Sequence, residues 1–135
     1  MSAVSTASLA MITLDCAEPA PLAEFWANLL GGEISYSTDE VVVVRTDRGA
    51  IAAGRVADYQ PPTWPAGEKP KHIHLELAVR DKAAAETEAL RLGARLADNQ
   101  PGGDQWRVLL DPAGHPFCLT SIPPGWPPLD QSTVD

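Results

Sequence analysis

"KHIHLELAV", Lys71 to Val79, alternates polar and apolar residues along nearly its whole length. Alternation is the period of a half-buried strand, whose successive side chains point to opposite faces. His72, His74 and Glu76 then share one face, and Ile73, Leu75, Leu77 and Val79 share the other. An apolar face needs a covering layer, and the next residues supply one. "RDKAAAETEALRLGA" reads as a helix with Ala84, Leu90 and Leu92 among its inward positions and Gly93 near its end. "RLAD" reads as a short strand, "QWRVLLD" as a strand, "PAG" as a turn and "HPFCLTSI" as the last strand.

Toward the N-terminus the same order occurs once before. "LAMITLDC" is a strand and "AEPAPLAEFWANLLGG" a helix, with prolines at its start and Gly31-Gly32 stopping it. Leu22, Phe25, Trp26, Leu29 and Leu30 recur on it at helical spacing. "EISYS" and "EVVVVRT" are strands, and "DRG" turns the chain into a fourth, "AIAAGRV". Met11 overlies His74, and Glu18 overlies Asp81, at one offset of 63 residues. Leu30-Gly31 overlies Leu92-Gly93 at 62, and Gly49 overlies Gly114 at 65. A nearly constant offset marks a duplicated module. The reading is α+β: a single domain over 1–135, made of a βαβββ module at about 9–57, a Pro-rich linker at 58–70, a second module at about 71–122 and a tail at 123–135.

Composition sets limits. A chain of 135 residues can bury its own core. It carries 10 basic and 18 acidic residues, a net charge of −8, with no basic run, which argues against nucleic acid and anionic membranes as partners. No stretch approaches the roughly 20 apolar residues of a membrane span. The N-terminus lacks the basic and apolar regions of a secretory signal. Two distant cysteines, Cys16 and Cys118, without CxxC spacing give no disulfide framework, so a cytoplasmic location is expected.

The paired modules, "LAEFWANLLGG", "WRVLLDPAGHPFCLT" and "DYQPPTWPAGEKPKHIHLELAV" resemble the vicinal oxygen chelate superfamily, which holds glyoxalase I, bleomycin-resistance proteins and extradiol dioxygenases. The likeness is nearest to its glyoxalase-like domains of unassigned reaction. The resemblance implies two curved mixed sheets around a shared cleft, each with its helix outside. Ile12, Leu14 and Cys16 would then face the first helix, while Met11, Thr13 and Asp15 line the cleft with His72, His74 and Glu76. It also implies a homodimer.

Metal-dependent members of that superfamily take ligands from the first and last strands of each module, typically histidines and carboxylates. Those places fall here on Met11, on Ala53 or Gly54, on His74 and on Cys118. Only His74 matches, and a thioether is a poor ligand for a hard cation. No cofactor is therefore expected. A divalent metal, if bound, would use His74 with His72, Glu76 or Cys118.

Without a metal, His74 is the foremost acid-base candidate and Glu76 the second, since imidazole exchanges protons near neutral pH. The bland alternative is that His74 hydrogen-bonds a carboxylate and holds structure. Cys118 in "FCLT" reads first as core, and His115 as a strand start. Trp64, in the linker, suits a lid over a pocket or a clamp of the loop to the body. Trp106 and Arg107 must face opposite ways, and parity does not say which enters the cleft. The functional expectation is a glyoxalase-like protein binding a small molecule. The alternatives are a metal-dependent lyase or dioxygenase with a degenerate ligand set, and a bleomycin-resistance-type protein that sequesters a drug without catalysis.

Overall fold

A computed structural model describes residues 5–126. The chain divides into two compact units between Val56 and Ala57. The expected tail beyond Trp126 lies outside the described residues.

The first unit runs β1 (Met11–Cys16), α1 (Pro19–Leu30), β2 (Glu33–Ser37), β3 (Val41–Thr46) and β4 (Gly49–Arg55). Its sheet has the order β1-β4-β3-β2, with β1 parallel to β4 and the other pairs antiparallel. Helix α1 starts on prolines that need no N–H partner there and stops at Gly31, which takes φ +70. Leu22, Ala23, Phe25 and Trp26 are buried, as are Val42 and Val44 of β3. The chain leaves α1 so close to β3 that a Cβ on Gly32 would lie 2.6 Å from the Arg45 carbonyl oxygen. Register puts Ile12 and Leu14 on the Val42–Val44 side of the sheet, and Met11, Thr13 and Asp15 on the opposite one.

The second unit repeats this order: β5 (Leu75–Val79), α2 (Lys82–Leu92), β6 (Arg95–Leu96), β7 (Trp106–Leu110) and β8 (Pro116–Ser121). Its sheet, β5-β8-β7-β6, has the same topology, with β5 parallel to β8. The offsets read from the sequence land on equivalent structure. Glu18 and Asp81 are the N-caps of the two helices, and Gly31 and Gly93 are their C-caps. Asp81 accepts a hydrogen bond from the Ala84 amide at 3.0 Å, whereas Glu18 makes no side-chain cap.

Two readings need correction. Strand β5 begins at Leu75, so His72 and Ile73 precede the ladder, and Ile73 is 79% exposed rather than helix-facing. In α2, Ala84 and Leu90 are exposed. The covered stripe is instead Lys82, Ala85, Glu86, Ala89 and Leu92. An alanine-rich helix carries too little apolar contrast to mark its inner face, and an ion pair from Glu86 to Arg107 of β7, at 2.7 Å, sets its phase. The Pro-rich segment belongs to the second unit, since Tyr59 and Trp64 both pack on it.

Candidate functional site

The face of the second sheet away from α2 is built by alternation. β5 presents Glu76, with His74 immediately before the strand. β8 presents Pro116 and Cys118, and β7 presents Trp106 and Val108. With Trp64 and Lys71 from the Pro-rich segment, these residues line a concavity of about 360 Å³. That is within the range of small-molecule sites.

Trp64 is held by a pinned loop. The Thr63 amide donates to the Lys69 carbonyl at 2.7 Å, and the Thr63 hydroxyl accepts from the Lys69 amide at 3.1 Å. Gly67, at φ +145, is forced by closeness as well as by φ: a Cβ there would meet the Thr63 side chain at 2.5 Å. The indole of Trp64 packs on buried Ala97, Val108 and Cys118. Trp64 is thus both clamp and wall.

Upstream, the Tyr59 hydroxyl donates to the Ala113 carbonyl at 2.8 Å and lies 3.3 Å from His115 Nε2. This ties the segment to the β7–β8 turn. The turn is organised by Asp111, only 1% exposed, whose Oδ1 accepts from the Ala113 and His115 amides, each at 2.9 Å. His115 is a scaffold residue of that turn.

The second tryptophan is placed by glycine. A Cβ on Gly102 would come within 2.3 Å of the Trp106 ring, so the indole lies directly on bare backbone. Gln100 then replaces the missing end of the short strand β6. Its amide nitrogen donates to the Ala97 and Val108 carbonyls at 2.9 and 2.8 Å, and its oxygen accepts from the Val108 amide at 2.9 Å.

The polar groups are few. His74 Nε2 lies 4.0 Å from Glu76 Oε2, with side-chain exposures of 35% and 63%. Lys71 Nζ stands 6.0 Å from the centroid of the Trp64 ring, a cation–π arrangement at the outer limit of range. Burial first, then the Glu76 carboxylate, push the Cys118 thiol above its usual pKa, with Lys71 opposing. Cys118 is therefore a protonated floor residue at neutral pH rather than a thiolate.

The sequence candidates now separate. Trp64, His74, Glu76, Trp106 and Cys118 meet in one concavity. His72 is exposed outside the strand and is not among its lining residues. Arg107 points to the helix side and is engaged with Glu86 and, at 3.3 Å, with the Gly103 carbonyl, so it does not join Trp106. Met11, Thr13 and Asp15 belong to β1 of the first unit. Lys71, Val108 and Pro116 were not singled out. Val108 and Pro116 follow from parity once Trp106 is oriented, and Lys71 is the first residue of the opening stretch.

The places where relatives would keep metal ligands can also be compared. Thr13 pairs with Ala52 as Glu76 pairs with Cys118, so the position matching Cys118 is Ala52, not Ala53. Ala53 lies on the helix-facing side with Leu14, and Gly54 has no side chain. Met11, Ala52 and Gly54 offer no hard donor. Among the described residues no three His, Cys, Asp or Glu side chains gather as a metal group. The donor set does not fit the metal centre that the superfamily resemblance implies.

A glyoxalase-like domain family model matches residues 11–120. None of the curated proteins matches the chain. Several solved structures share its fold. A glyoxalase-related enzyme from Fulvimarina pelagi superposes with a TM-score of 0.65 at 18% identity, over 89% of this chain and 91% of that one. A mutant of the fosfomycin resistance protein FosX from Listeria monocytogenes, complexed with Mn(II) and 1S,2S-dihydroxypropylphosphonic acid, gives 0.65 at 17% identity over 87% and 91%. A glyoxalase/bleomycin resistance protein/dioxygenase family enzyme from Burkholderia phytofirmans gives 0.63 at 16% over 84% and 97%. Identities this low speak for the fold and not for a reaction. Also, no helix among the described residues is long and apolar enough to cross a membrane. With its family match over 11–120 and its two equivalent sheets, the chain belongs to the glyoxalase-like domain family of the vicinal oxygen chelate superfamily.

Proposed function

We propose that this chain binds a small molecule on the second sheet's face between Trp64 and Trp106, without the superfamily's metal centre. The observation that carries the reading is the convergence of two indoles from unrelated segments on one concavity. Each is held by its own local device: the Thr63–Lys69 loop closure for Trp64, and the bare backbone of Gly102 for Trp106. Large flat side chains with restricted rotamers supply contact area at little entropic cost.

FosX carries Mn(II) with its phosphonic acid, which makes a metal-dependent lyase or dioxygenase the natural rival reading. Here the four ligand positions reduce to His74 and a thiol whose pKa is raised, and such a set supports only a degenerate site. Metal analysis of the purified protein separates the two. The expected result is no stoichiometric divalent metal. A stoichiometric metal that is lost in His74→Ala contradicts the proposal.

A second reading, catalysis, is favoured by the His74–Glu76 pair at 4.0 Å. In that reading His74 moves a proton on the bound molecule, with the Glu76 carboxylate beside it. A binder that sequesters its ligand, as in the bleomycin-resistance reading, keeps its affinity in His74→Ala and shows no turnover. An enzyme loses turnover in that variant and still binds.

A further inference from the structure

The charges around the two tryptophans point to the class of molecule they take, an inference that rests on the small-molecule reading above and narrows it. Lys71 is half-buried beside Trp64, and among the described residues it forms no ion pair. Arg107 is matched by Glu86, Arg91 by Glu88, and Lys82 donates to the Ser121 hydroxyl at 2.9 Å. Among the residues that line the concavity, Lys71 is the one lysine or arginine. The one carboxylate on the same face, Glu76, is mostly exposed and lies nearest His74. Solvent and salt screen it more than they screen Lys71. Both charges act on the Cys118 thiol at the floor, where Glu76 raises the pKa and Lys71, the smaller of the two influences, lowers it.

We infer that the ligand is a flat, conjugated anion, an arene or heteroarene carboxylate, with its ring against Trp64 and Trp106 and its carboxylate at the Lys71 ammonium. An indole face attracts an extended π-system through dispersion and area burial. The ammonium then supplies the charge-assisted hydrogen bond that fixes orientation. The His74 imidazole, on the same face, offers a second donor to the same carboxylate.

The probes are three naphthalenes of one shape: 2-naphthoate, 2-naphthamide and 2-naphthylmethylammonium. They are titrated calorimetrically into the whole chain and into Lys71→Met, which keeps the length and apolar stem of the side chain. The expected result is that 2-naphthoate binds wild type at least tenfold more tightly than the other two. In Lys71→Met its affinity falls by about tenfold, and that of the amide stays unchanged. Equal affinities, or a preference for the ammonium, overturn the inference. If that binding also disappears in Trp106→Ala, the small-molecule site itself stands. If none of the three probes binds while another small molecule is still lost in Trp106→Ala, only the class of ligand is overturned. If no molecule depends on Trp106, the site falls as well.

Discussion

The two halves of this chain share a topology and differ in what they place on the sheet face away from the helix. In the first sheet that face carries Met11, Thr13, Asp15, Ala50, Ala52 and Gly54 from the two parallel strands. In the second, the equivalent strands carry Glu76, Pro116 and Cys118, with His74 just before β5, and Trp64 packs on Cys118. The framework residues agree between the halves down to helix caps and turn glycines, because they answer to backbone geometry. The facing residues do not agree, because nothing in the fold requires a given side chain there. A repeated βαβββ unit thus keeps its scaffold and frees one face for chemistry.

The difference extends to how the matching turns are made, and this gives the largest expected effect. The β7–β8 turn hangs on buried Asp111, while the β3–β4 turn hangs on half-buried Thr46, whose hydroxyl, in solvent-exposed bonds, accepts from the Arg48 amide at 3.2 Å and donates to the Gly49 carbonyl at 2.8 Å. Asp111→Ala leaves two part-buried amides without their acceptor and should cost about 3 kcal/mol in denaturant unfolding. Thr46→Ala should cost about 0.5 kcal/mol, since water replaces its bonds. Equal costs would remove the contrast between the turns.

Trp64→Ala should cost about 2 kcal/mol, below the range for fully buried tryptophans, because its indole covers Ala97, Val108 and Cys118 while one side stays open. On the proposed reading it also weakens ligand binding. Gly102→Ala is the sharper probe of the site. Its new methyl must displace the Trp106 ring, so ligand affinity should fall at least fivefold with a stability loss of about 1 kcal/mol, read by titration beside thermal melting. Unchanged affinity would dissociate Trp106 from the site.

Arg107→Met should cost about 1 kcal/mol through the lost pair with the half-shielded Glu86, without altering ligand binding. A loss of binding in that variant would place Arg107 with Trp106 after all. The smallest effect concerns pH. The Cys118 pKa is higher in the folded chain than in the unfolded one. The native state therefore holds the proton longer, and stability falls as pH rises past the unfolded thiol's value of about 8.5. Cys118→Ala should abolish that part of the alkaline slope. An unchanged slope in urea titrations from pH 7 to pH 10 would show that the thiol is not shielded.

The fold was legible in the sequence because its signals are periodic and occur twice. β2 occupies its expected segment, Glu33–Ser37, and α1 falls inside "AEPAPLAEFWANLLGG". The errors came where local pattern and tertiary packing disagree. The alternation of "KHIHLELAV" runs on through His72 and Ile73, yet the β8 partners of β5 begin only at Phe117, opposite Leu75, so the ladder stops there. Helix α2 hid its inner face because alanine is at ease on either side. The orientation of Trp106 against Arg107 depended on a strand start that "PGGDQ" conceals, and it is fixed by two contacts distant in sequence, Gly102 beneath the indole and Glu86 on the guanidinium. Lys71 escaped notice because the histidines beside it were the more conspicuous chemistry.

The most direct test of the proposed site is a thermal-shift screen of metabolites and antibiotics, carried out in EDTA on wild type and on Trp106→Ala. The account predicts a molecule that stabilises wild type with metal removed and fails to stabilise the variant. Stabilisation that appears only when a divalent metal is restored, and that survives Trp106→Ala but not His74→Ala, would contradict it.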